Sequence, residues 1–258
     1  MCRYAQDLPV MLRVMAGSSA LRLRLDEEVD VNKLTIYFME DDGSKYISCV
    51  SNDARVAVQK VRTHRLRKLK NSRHIRLKLE EFKNPFDIWL AAYLKSTAPA
   101  FGDLFKCQEE KMNLTKEVLR TLTGTCKHTP AAIKLSMAST LSRFQQQAYV
   151  DKQWNTAMGL QHRIENLLGD NAVLLLPATV NAALFPHQDI AFMESLHMTC
   201  LFNILTLPVT CCPIMQNDDG LPLGVQVAAS RGQDRLSLAV ARKLQQGFGG
   251  WKDPSAKN

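Results

Sequence analysis

The chain has 258 residues, 46% hydrophobic and 22% charged, with 12 Gly and 10 Pro, a composition that fits a folded globular protein and excludes global disorder. The longest apolar stretch, Ala172 to Phe185, is interrupted by Pro177, Thr179 and Asn181, so no bilayer-spanning segment is predicted. The formal net charge of +8 is concentrated: nine basic residues and no acid lie between Lys60 and Lys78, and outside that window basic and acidic residues number 24 and 25.

Residues 5–16 read as a helix with Leu8, Leu12 and Met15 on one face and Gly17 as its stop. Leu34 to Met39, rich in β-branched and aromatic residues, reads as a strand ended by Asp41-Asp42-Gly43. Asn52 or Asp53 caps the next helix, whose Val58, Val61, Leu66 and Leu69 form an apolar stripe; His74 to Leu79 then alternates as a half-buried strand does. The basic residues from Lys60 to Lys78 therefore fall on the solvent side of a helix-then-strand unit. The same window also suits contact with an anionic membrane surface, while the lack of interleaved aromatics argues against nucleic acid.

Pro85 to Leu94 reads as a helix with Phe86, Trp89, Leu90 and Tyr93 on its apolar face. Residues 95–129 are irregular, with one helix near 113–122. A long helical tract runs from Pro130 to Leu168, closed by Gly169-Asp170-Asn171. Val173 to Pro177 is a short buried strand, 190–205 a helix, Val209 to Ile214 extended, and Gly220 to Ala228 a strand. Gly232-Gln-Asp234 opens a last helix in which Leu236, Val240, Leu244 and Phe248 recur every fourth residue. Strands alternating with helices define an α/β protein.

Motifs that carry chemistry are sparse. The seven cysteines (Cys2, Cys49, Cys107, Cys126, Cys200, Cys211, Cys212) include no C-x-x-C pair, so they read as small buried hydrophobes in a reducing compartment, and no metal or cofactor site is predicted. Gly247-Phe-Gly-Gly250 ends a helix where a phosphate loop would start one. There is no G-x-S-x-G elbow, and the spacing of Ser195, His187 and Asp189 fixes no order or base for a triad.

Three segments of the last third carry a resemblance: Asn203-Ile-Leu-Thr-Leu-Pro-Val-Thr-Cys-Cys-Pro213, Asp219-Gly-Leu-Pro-Leu-Gly-Val-Gln-Val-Ala228 and Gly232-Gln-Asp-Arg-Leu236. They are similar to the closing region of amidase signature enzymes, and Met1-Cys-Arg-Tyr-Ala-Gln-Asp-Leu8 resembles that family's segment Gly-Pro-Met-x-Arg-x-x-x-Asp-Leu without its leading Gly-Pro. Phe248-Gly-Gly-Trp251 and Leu207-Pro-Val-Thr-Cys211 narrow the resemblance to the animal fatty-acid amide hydrolase, type-two-like, branch.

The resemblance implies that residues 1–258 are the C-terminal part of a single amidase domain, an incomplete α/β fold with a mixed β-sheet covered by helices on both faces. It implies a serine hydrolase of lipid amides, with a nucleophilic Ser, a second Ser in a cis peptide and a Lys that takes and returns the proton. In the family these groups lie in a Gly/Ser-rich signature and upstream of it, and no residue here matches any of the three. Ala16-Gly-Ser-Ser-Ala20 lacks the flanking glycines, so Ser18 and Ser19 inherit no catalytic role.

By the same resemblance Thr199 to Val209 approaches the acyl-chain pocket. Phe202 and Val209 are apolar lining, Asn203 stands at the family's frequent Asn, and Thr206 stands where Gly is common. The alternative for this stretch is plain core. Three functional expectations follow: a portion of a lipid-amide hydrolase that is inactive alone, an amidase-like protein that binds a lipid or partner without catalysis, and a basic module on anionic membranes. With no signal peptide or membrane span in the sequence, the expected location is intracellular, cytoplasmic or membrane-peripheral.

Overall fold

The computed structural model describes residues 1–41, 50–65, 73–96, 103, 113–185 and 197–252. Among these, five strands form one mixed sheet: β1 (Thr35–Phe38), β2 (Arg73–Arg76), β3 (Ala172–Pro177), β4 (Val209–Gln216) and β5 (Pro222–Ala229), in the order β2-β1-β3-β5-β4. β1 runs parallel to β2 and β3, whereas β5 is antiparallel to both β3 and β4. The centre, β3, is buried at every residue, as its unbroken Ala-Val-Leu-Leu-Leu run requires of a strand covered on both faces.

The helices are α1 (Leu8–Ala16), α2 (Asn52–Lys60), α3 (Pro85–Lys95), α4 (Leu114–Leu122), α5 (Pro130–Ser142), α6 (Gln147–Leu168), α7 (His197–Leu205) and α8 (Asp234–Phe248). One sheet face presents Phe38, Val227 and Thr210 to α2 and α8: Arg62, just past α2, lies 5.1 Å over the Phe38 ring, and the Thr210 and Ser237 hydroxyls pair at 3.0 Å. The other face presents Gln226 to α7 and is covered by α6 and α7, with α3 packed across both helices. The core is continuous from Ile36 and Phe38 through β3 to Leu236, Val240 and Leu244 of α8.

Several elements depart from the sequence reading, each for a local reason. α2 is capped by Ser51, whose Oγ accepts from the Ala54 amide at 3.2 Å, one residue before the expected cap. Val58 and Val61 of its stripe are buried, but Leu66 and Leu69 lie outside the described residues, as do 190–196 of the helix read over 190–205. β2 is an edge strand with one neighbour, so Ile75 stays 41% exposed where a half-buried position was expected. On α3 the buried side chains include Pro85, Ile88, Leu90 and Ala91, while Phe86, Trp89 and Tyr93 stack on one another half-buried, at 5.6 and 6.0 Å between centroids. The rings, too large to be enclosed fully, shield each other at the margin of the helix.

The single helix expected over 130–168 is two. Ser139 and Ser142 hydroxyls donate to carbonyls three residues back, at 2.9 Å each. At the end of α5 the amides of Arg143, Phe144 and Gln145 likewise bond three residues back, tightening the last turn and ending the helix before Gln147 starts the next.

Candidate functional site

α7 and the start of β4 carry all five residues that sequence placed near a pocket. Thr199, Asn203 and Thr206 lie on the exposed side of α7 and its end, and Val209 is 36% exposed at the first position of β4. Phe202 points the other way: it is 3% exposed and meets Phe82 edge to face, 5.9 Å between centroids and 63° between planes. Thr199, Asn203 and Thr206 therefore lie along one exposed side of the helix, Val209 is exposed on β4, and Phe202 packs into the core.

The turn after α7 explains a departure noted in the sequence. Thr206 has φ +51°, in the left-handed region, and the Leu207 amide donates back to the Phe202 carbonyl at 3.2 Å. This is the helix-ending turn that favours glycine, because a Cβ crowds the backbone there. Gln161 of α6 holds the turn, donating to the Leu205 carbonyl at 3.3 Å and to the Thr206 hydroxyl at 3.5 Å.

Gln226 anchors the other end of α7. This 2%-exposed side chain donates to the Pro177 carbonyl at 2.9 Å and to the Met198 carbonyl at 2.8 Å, tying the end of β3 to the first turn of α7. Sequence gave no role to Gln226; the signal was an amide in a strand of Leu, Val and Ala, which burial obliges to find partners.

The exposed side of α7 carries the Thr199 and Thr206 hydroxyls and the Asn203 amide, groups that can orient a polar group of a ligand. Burial pushes the thiols of Cys200 and Cys212 up to about 12, leaving both neutral at pH 7. They behave as the buried hydrophobes expected, whereas Cys211 is exposed and Cys2 and Cys126 are half-buried; Cys49 and Cys107 lie outside the described residues. Ser18 and Ser19 are exposed on a 3-10 turn after α1. Ser195, His187 and Asp189 lie outside the described residues.

The basic window is partly neutralised. Arg62 and Arg76 reach Glu40 at 3.4 and 3.8 Å, and Lys78 reaches Glu80 at 3.3 Å, while 66–72 lies outside the described residues. A titratable cluster that sequence missed sits in the α4–α5 hairpin. Glu117 accepts from His128 at 3.0 Å, from Arg120 at 2.8 Å and from the Lys127 amide at 3.0 Å. These bonds, that from His128 above all, lower its carboxyl to about 2. It is a clamp between helices, with every carboxylate bond spent inside the hairpin.

A mixed sheet between two helical layers is an architecture this chain shares with solved amidases. The structure resembles that of a fatty acid amide hydrolase with a TM-score of 0.64 and 16% identity, over 96% of this chain and 47% of that one. It also resembles 6-aminohexanoate cyclic dimer hydrolase bound to substrate, with a TM-score of 0.59 and 15% identity, over 96% and 54%. The sequence profile described as Amidase matches residues 1–238, and the chain belongs to the amidase family. It is 35% identical over 259 residues to fatty-acid amide hydrolase 2-A of Danio rerio and 34% identical over 260 residues to fatty-acid amide hydrolase 2 of Homo sapiens. Each match takes in 98% of this chain and 48% of the relative, so the chain spans about half the length of the curated relatives it matches.

Proposed function

We propose that the chain is the C-terminal, wall-forming portion of an amidase that hydrolyses fatty-acid amides, and that hydrolysis needs the family's signature residues, which this chain does not supply. The observation that carries the reading is the proportion of the match: nearly all of this chain aligns with under half of each fatty-acid amide hydrolase 2. The resemblance of Met1 to Leu8 to a segment that follows the Gly/Ser-rich signature supports it. So does the chemistry of the α7 surface, where the exposed Thr199, Asn203 and Thr206 carry hydroxyl and amide donors and acceptors.

In this reading each part has a distinct task. The signature half brings the Ser that attacks the amide carbonyl, the second Ser that relays its proton and the Lys that receives the proton and returns it to the leaving amine. The present chain bounds the pocket: Thr199, Asn203 and Thr206 orient the amide end or its neighbours, and Val209 meets the acyl chain. Phe202 backs this wall, and Gln226 and Gln161 fix both ends of the helix that bears it. Water then cleaves the acyl-enzyme to the fatty acid.

The test is turnover of a long-chain primary fatty amide, followed as ammonia release. The chain joined to the signature half of human fatty-acid amide hydrolase 2 is expected to hydrolyse it, and Asn203→Ala in the joined protein to slow it by about tenfold through lost orientation. Failure of the joined, folded protein to turn over any fatty amide would overturn the assignment.

A further inference from the structure

The segment leading into α1 lies against β4 and α8 and forms with them a narrow crevice of about 40 Å³. Cys2 and Ala5 line it from the segment, Cys211 and Cys212 from β4, and Ala241 and Gln245 from α8. Residues 1–4 lie outside any helix or strand, so Cys2 is carried on a short irregular arm. The arm is anchored on the far side of Cys2 by the Arg3 guanidinium, 4.4 Å over the Trp251 ring, and by the Ala5 amide, which donates to the Gln245 side chain. Cys2 itself is half-buried, which leaves its thiol open to small solutes.

β4 offers two adjacent cysteines, and the pleat of the strand separates them, because successive side chains point to opposite faces. Thr210 points toward α8, where its hydroxyl meets that of Ser237 at 3.0 Å, and Cys212, two residues on, shares that face. Cys211 is paired in register with Gln226, whose side chain donates to the Met198 carbonyl of α7 on the other face. Residues directly opposite in a ladder share a face, so Cys211 turns away from α8 and Cys212 toward it. Cys212 is buried there, beside Ala241 and Gln245 of α8. The crevice therefore brings together two thiols from distant parts of the chain, one open to solvent and one enclosed.

We propose that Cys2 and Cys212 form a redox latch: a hydroperoxide joins them in a disulfide that ties the N-terminal arm to β4, and a reducing thiol releases it. The Cys2 sulfur attacks one peroxide oxygen; the S–O bond forms, the O–O bond breaks, and the other oxygen leaves as water with the thiol proton, giving a sulfenic acid. The Cys212 sulfur then attacks the Cys2 sulfur; the S–S bond forms, the S–O bond breaks, and a second water carries off the Cys212 proton. The two thiols together lose two electrons and the peroxide gains them. Exposure sets the order: burial pushes the Cys212 thiol up to about 12, so it waits protonated while Cys2 meets the oxidant. A disulfide needs its Cβ atoms about 3.5–4.5 Å apart, so the arm closes the crevice as the bond forms. Residues 2 and 212 are far apart in sequence, so the bridge restricts the unfolded chain strongly and rigidifies β4, which begins at Val209.

The experiment is treatment of the purified 258-residue chain with hydrogen peroxide, then alkylation of the unfolded protein and mass spectrometry. Of the seven cysteines, two are expected to escape alkylation, with the loss of two hydrogens, and dithiothreitol should restore both. The bridge should persist in Cys211→Ala and vanish in Cys2→Ser. Cys2 lies on the arm outside the core, so its variant leaves the fold intact; Cys212→Ala, a small apolar replacement at a buried site, should abolish the bridge as well, with folding checked by circular dichroism. Amide exchange in β4 should slow by about tenfold or more on oxidation, and exchange in β2 should not change. Seven alkylated cysteines after oxidation, a Cys2 oxidised only to the sulfinic acid or joined to a second chain, or a bridge that is lost with Cys211 would overturn the proposal. Each of these readouts stands whether or not the chain takes part in amide hydrolysis.

Discussion

Two residues hold the ends of α7, and a third clamps the α4–α5 hairpin. Thr206 holds a left-handed backbone at φ +51° despite a β-branched side chain, a conformation costing about 1–2 kcal/mol in a residue with Cβ. Thr206→Gly should therefore raise the urea midpoint, by about 1 kcal/mol of stability. Gln226 is the opposite case. Gln226→Leu keeps a similar volume but strips the Pro177 and Met198 carbonyls of their side-chain donor, and a loss of about 2–4 kcal/mol is expected in the same measurement. Glu117 gives a pH signature. Its carboxyl, ordinarily near 4.5, is held at about 2 by His128 and Arg120, so the carboxylate stabilises the hairpin fully above about pH 4.5. That contribution is lost as the pH falls toward 2. Amide exchange in α4 and α5 should accelerate over that interval, and Glu117→Gln should remove the dependence.

At the scale of elements, the strand pair β4–β5 shows why one glycine stands where it does. A Cβ on Gly224 would sit 2.7 Å from the Cys212 carbonyl oxygen, so the strands meet too closely for any side chain. Gly224→Ala should cost about 1–3 kcal/mol, measured by thermal unfolding. Elements with a strong apolar period were legible in the sequence: α8 has Leu236, Val240 and Leu244 buried as read, and β3 is buried throughout. The break between α5 and α6 was not legible, because it is made where the amides of Arg143, Phe144 and Gln145 bond three residues back, which no apolar period reports. Phe86, Trp89, Leu90 and Tyr93 were read as the apolar face of α3; Leu90 is buried, while the three rings stay half-buried and stack on one another. The exposure of Thr199, Asn203 and Thr206 follows from their spacing on one helix side, but that Phe202 turns inward depends on Phe82, distant in sequence.

At the scale of the whole molecule, the net charge of +8 is local: outside Lys60–Lys78 basic and acidic residues nearly balance. The described helices include none long and apolar enough to cross a membrane. Among the described strands, β2 carries charged residues at one edge of the sheet and β4 none at the other. The chain covers about half of the amidases it matches. The family was legible from a few segments at the two ends of the sequence, while the strand order was not, because no local pattern encodes it.

The central claim is that this chain shapes an amidase pocket without carrying its nucleophile. The most direct measurement is labelling of the purified 258-residue protein with a fluorophosphonate probe, read by mass spectrometry. The account predicts no labelled serine in the chain alone, and labelling restored on the signature half when the two are joined. A serine of the isolated chain labelled at stoichiometric yield would contradict it.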